Sequence, residues 1–134
     1  MQVKNFLVAA LASSFVLLSC SKKSEDKPAS TIPIEGSWIG KFSVLSEPFN
    51  NFYSFKIKPG GVLEVQDAAQ QKTGSGSWKL EGNLFMATYT NTVPDTKTFS
   101  VLATFNKHTG KLDGTWGPDD NDYTGGYWFM NRSN

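Results

Sequence analysis

The chain has 134 residues, with 13 basic and 12 acidic side chains, one histidine, one cysteine and 13% aromatics. That length suits one domain, and the even charge balance argues against nucleic acid or an acidic polymer as a partner. A lone cysteine makes no intramolecular disulfide, so the fold must hold without staples.

The first twenty residues have their own pattern. Lys4 gives a positive start, an apolar run of thirteen residues follows from Phe6 to Leu18, and Ser19 then precedes Cys20. This is the layout of a cleaved secretory signal, and the run is too short to span a bilayer, which takes about 20 apolar residues. Leu17-Leu18-Ser19-Cys20 resembles the lipobox of bacterial lipoproteins. The resemblance implies a signal peptide over 1–19, lipid attachment at Cys20 and a partner membrane reached through that anchor. Several acyl chains, at about 0.8 kcal/mol per buried methylene, would hold the domain stably. Removing residues 1–19 takes away one basic residue, Lys4, and leaves 12 of each sign.

Residues 20–31 are polar and charged and lack aromatics, so they read as the lipidated cysteine and a flexible linker. In lipoproteins of enteric bacteria an aspartate after the cysteine retains the protein in the inner membrane. Ser21 stands there in this chain, which points to the outer membrane of the cell envelope. The cluster Lys22-Lys23-Ser24-Glu25-Asp26 resembles tags that send some lipoproteins to the cell surface, but an ordinary solvated linker has the same composition. The periplasmic face and the cell surface both stay open.

Residues 32–134 show short alternating runs closed by turn residues and almost no helical period. The runs are 36–45, with Trp38, Gly40, Phe42 and Val44 on one face; 52–58, with Tyr53, Phe55 and Ile57; and 62–66, joined to the second through Pro59-Gly60-Gly61. They continue as 76–80 around Trp78, 84–90, 97–106 with Phe99, Val101, Ala103 and Phe105 on one face, 111–117 and 123–131. Parallel pairing would need long crossovers that do not fit. The pattern therefore predicts an all-β domain, a small eight-stranded antiparallel up-and-down barrel, whose closure removes the two open edges of a flat meander. Eight strands leave room for side chains or one small ligand. A two-sheet sandwich is the structural alternative.

Gly-Ser/Thr-Trp occurs three times, at Gly36-Ser37-Trp38, Gly76-Ser77-Trp78 and Gly114-Thr115-Trp116. The glycine lets strands approach or coil, and the spacing predicts indoles stacked at one end of the barrel, as structural plugs or as ligand contacts. Gly36-Ser37-Trp38 at the start of the first strand resembles the Gly-x-Trp motif of lipocalins and other calycins. Residues 55–63 and 76–84 resemble small bacterial lipocalin-like lipoprotein domains, and Gly114-Thr115-Trp116-Gly117 is similar to the avidin-like barrels. In lipocalins an arginine near the last strand stacks on the first-strand tryptophan. The resemblance implies that structural role for Trp38 and Arg132, the only arginine, as a cation–π contact. No biotin-contacting set can be matched.

No catalytic chemistry is visible. His108 sits in a turn, and Glu47, Glu64 and Asp113 are scattered, so neither an acid–base pair nor a nucleophilic set can be built. The loop Asp119-Asp120-Asn121-Asp122 lacks the spacing and distal glutamate of an EF-hand. No metal, no cofactor and no enzyme activity is expected. The favoured expectation is a tethered barrel holding a small hydrophobic ligand through Phe42, Tyr53, Phe55, Trp78, Phe99, Trp116 and Tyr127. The alternative is a module or inhibitor that meets an envelope protein through its loops, either residues 47–51 with Phe49 exposed or residues 91–96. A purely structural envelope role is third.

Overall fold

The computed structural model describes residues 30–120 and 122–133; the signal segment, Cys20 and most of the linker lie outside the described residues. Eight strands follow in order: β1 (Gly36–Phe42), β2 (Asn51–Lys58), β3 (Val62–Gln66), β4 (Lys72–Glu81), β5 (Leu84–Asn91), β6 (Lys97–Asn106), β7 (Lys111–Pro118) and β8 (Gly126–Arg132). Each pairs antiparallel with the next, and β1 pairs with β8 from Trp38↔Arg132 to Phe42↔Trp128, which closes the sheet. That seam rules out the sandwich: every strand has two hydrogen-bonded neighbours and no edge remains.

Alternation decides the inside. On β2, Tyr53, Phe55 and Ile57 are buried; on β5, Phe85, Ala87 and Tyr89; on β6, Val101, Ala103 and Phe105. Gly40, Gly76 and Gly114 share this inward parity. A Cβ on them would collide with the carbonyl oxygens of Phe129, Thr88 and Leu102 respectively. Their bare backbones let neighbouring strands coil into so narrow a cylinder.

Odd-numbered strands run from a closed end to an open end, and even-numbered strands return. At the closed end the segment before β1 folds across the barrel floor. The Trp38 indole donates to the Ile34 carbonyl at 2.8 Å, the Ile32 amide donates to Lys107 O at 2.8 Å, and the Ile34 side chain is buried in the core. Arg132 lies opposite Trp38 in the β1–β8 register, but it makes no cation–π contact there. Its Nε and Nη2 both donate to the carbonyl of Glu35, at 3.2 and 2.8 Å. Among the described residues the cation–π contact is instead Lys111 over the Phe129 ring, 5.7 Å from its centre. A carbonyl before β1 has no ladder partner to satisfy it, and the guanidinium fork fits that need better than an indole face already packed inside.

The three tryptophans of the repeated motif do not gather at one end. Trp38 packs edge-on to Phe105 (5.9 Å) and Trp78 stacks on Phe85 (6.2 Å, 25°), both towards the closed end. Trp116 sits at the open end beside Phe42 and Phe99. The motif begins β1 but ends β7, and both strands run upwards, so the same three residues land at opposite ends.

Candidate functional site

The open end holds a cavity of about 430 Å³. Phe42, Tyr53, Phe99 and Trp116 line it, each at an inward position near the open end of β1, β2, β6 and β7. Tyr89 of β5 joins them, and the five rings form a closed belt. Tyr53 touches Phe42 (5.1 Å), Phe42 touches Trp116 (5.5 Å), Trp116 touches Phe99 (6.0 Å), Phe99 touches Tyr89 (5.6 Å), and Tyr89 returns to Tyr53 (6.5 Å). Edge-to-face and tilted contacts of this kind match the positive edges of some rings to the negative faces of others. Val65 of β3 and Thr73 of β4 complete the wall, with Gln66, Asp67 and Ala68 at the rim. Phe55 and Trp128, both fully buried, pack against Tyr53 at 5.0 and 5.6 Å in the core beneath the cavity.

Three of the seven candidate residues stand elsewhere. Phe55 is fully buried in the core behind Tyr53 and does not line the cavity. Trp78 faces inwards near the closed end, where its indole donates to Lys58 O at 2.8 Å and it packs half-buried against the core, outside this cavity. Tyr127 is 56% exposed. On β8 the inward parity belongs to Gly126, Trp128 and Met130, which turns Tyr127 to the outer face and removes it from the site. Tyr89, Val65, Thr73 and Asn91 line the cavity in addition to the residues the sequence pattern suggests. For Tyr89 the signal was available: it shares the alternation of Phe85 and Ala87.

The polar groups of the cavity are few. The Tyr53 and Tyr89 hydroxyls are 2.5 Å apart. Burial pushes both phenols above their ordinary pKa, so both stay protonated at neutral pH. Asn91 Oδ1 is buried with no hydrogen-bond partner. The one charged lining residue is Asp67, whose Oδ1 accepts from the amides of Ala69 and Gln71 at 2.9 Å each and thereby shapes the β3–β4 loop. No lysine, arginine or histidine lines the cavity. Among the described residues no cluster of three or more His, Cys, Asp or Glu side chains could hold a metal ion.

The arrangement offers apolar and aromatic surface, two phenols and an amide. It brings together no base and nucleophile. No family model, no curated protein and no solved structure matches the chain.

Proposed function

We propose that this is a lipid-anchored protein of the bacterial cell envelope, held in the outer membrane through Cys20, whose small lipocalin-like barrel binds a small hydrophobic ligand. The observation that carries the binding half is the belt-lined cavity of about 430 Å³ at the open end. Ligand pockets are typically concave, largely apolar and of this size, with a few placed polar groups. At the closed end the segment before β1 crosses the barrel and buries Ile34 in the core, which leaves the open mouth as the route of entry to this cavity. The anchoring half rests on Leu17-Leu18-Ser19-Cys20 and the polar stretch that follows.

Native mass spectrometry of the lipoprotein, released gently from a bacterial envelope, tests the binding. The expected spectrum carries a reproducible extra mass that disappears on denaturation. A bare protein that also refuses added hydrophobic probes would overturn the proposal. Cys20→Ser tests the anchor, with loss of membrane fractionation as the expected result.

A second proposal draws on the mouth itself. Leu45 is 63% exposed and Val93 56%, in the loops 43–50 and 92–96 at the open end, while Phe49, 41% exposed, packs on Phe129 of the outer wall. Exposed apolar side chains clustered at one end fit a protein partner. Leu45→Ser with Val93→Ser would then abolish capture of an envelope partner and leave uptake of small probes intact.

A further inference from the structure

The chemistry of the cavity selects among hydrophobic ligands, provided the binding function proposed above holds. Tyr53 and Tyr89 contribute two O–H donors, and they share one hydrogen bond between them. Whichever hydroxyl accepts in that bond keeps its own proton free, so the pair presents one unused donor to the cavity both residues line. A buried donor without an acceptor costs free energy, and an oxygen on the ligand would meet it. A carboxylate would find that donor but no cation, because Asp67 is the only charged lining residue and is itself acidic. Burying an unpaired anion there is strongly unfavourable. The rings add a shape preference: Phe42, Phe99 and Trp116 offer edges and faces to a flat molecule.

We propose that the open-end cavity takes an uncharged, ring-shaped molecule bearing a carbonyl or ether oxygen, with that oxygen seated on the Tyr53–Tyr89 hydroxyl pair. Fatty acids and other carboxylate lipids are discriminated against.

Three probes of one shape test this by calorimetric titration of the full chain at pH 7: 2-acetylnaphthalene (neutral, with an acceptor), 2-ethylnaphthalene (neutral, without one) and 2-naphthoate (anionic). The expected order is acetyl tightest, ethyl weaker by about fivefold, the scale of one net hydrogen bond, and naphthoate weakest. Tyr53→Phe or Tyr89→Phe alone leaves one hydroxyl with its proton free, so each single variant keeps the preference. The double variant is expected to lose the preference and bind the acetyl probe no more tightly than the ethyl probe. Naphthoate binding as tightly as the ketone, or a ketone preference that survives the double variant, would overturn this inference and leave the binding function standing. No uptake of any of the three would overturn both. If the double variant does not fold, the order of the three probes on the wild type decides.

Discussion

The Trp116 indole donates a 2.8 Å hydrogen bond to the carbonyl of Ser43, 73 residues away in sequence. Ser43 also carries the β1–β8 seam one step past Phe42. Its amide donates to Tyr127 O at 2.8 Å, and its Oγ accepts from the Tyr127 amide at 3.2 Å. One residue thus fixes both the closure of the barrel and the orientation of an indole in the aromatic belt. Trp116→Phe keeps an aromatic ring and removes the N–H. It is expected to cost about 1 to 2 kcal/mol in urea denaturation and to weaken probe binding at the mouth. An unchanged midpoint together with unchanged binding would show that the indole bond orients nothing.

The inward glycines make a sharper case. Gly76→Ala and Gly114→Ala would drive a Cβ into the carbonyls of Thr88 and Leu102. The neighbouring backbone belongs to a hydrogen-bonded ladder and cannot retreat. A loss of about 3 kcal/mol, or failure to fold, is expected. Gly60→Ala is the control: its backbone is left-handed (φ +78°) but nothing stands within 4 Å, so the cost is limited to about 1 to 2 kcal/mol of backbone strain. Equal losses at all three positions would remove close approach as the reason for these glycines.

Arg132 is expected to act as a clamp on the floor segment. Arg132→Ala removes both hydrogen bonds to Glu35 O and should cost about 1 kcal/mol. The more telling readout is local: the Ile32 amide, bonded to Lys107 O, should exchange faster with solvent while the amides of β5 and β6 keep their protection. Exchange at Ile32 that does not change would argue against the clamp.

The buried phenols predict an alkaline limit. Both Tyr53 and Tyr89 are raised from the ordinary value of 10.0 by burial. Above pH about 10 the folded barrel therefore holds more protons than the unfolded chain, and stability falls as pH rises. Below that pH these two groups make stability neither rise nor fall. Urea midpoints at pH 9, 10 and 11 should decline for the wild type and decline less for the Tyr53→Phe/Tyr89→Phe double variant. Parallel declines in the two proteins would assign the alkaline loss to other groups.

Much of the barrel was legible from period-two alternation. The runs expected at 62–66 and 97–106 coincide with β3 (Val62–Gln66) and β6 (Lys97–Asn106). Errors arose where alternation carried no contrast. β4 begins at Lys72 rather than 76, because Lys72-Thr73-Gly74-Ser75 shows no apolar rhythm and is held by its partners on β3 and β5. β8 is apolar on both faces, Tyr127 and Phe129 against Trp128 and Met130, so local pattern could not say which face turns inwards. A slip of one residue exchanges the two faces, and Tyr127 was lost from the site for that reason.

By itself, then, the sequence determined that the domain is all-β, that its strands run antiparallel, and which residues share a face, because side-chain direction along a strand is a local property with a period of two. The tertiary structure alone decided the rest. It sent Trp38 and Trp78 to the closed end and Trp116 to the mouth, it gave Arg132 to the Glu35 carbonyl, and it brought Tyr53 against Tyr89 from strands that are not neighbours. Depth along the barrel and contact across its interior depend on strand direction, register and the closing β1–β8 seam, which are relations between distant segments that no local pattern encodes.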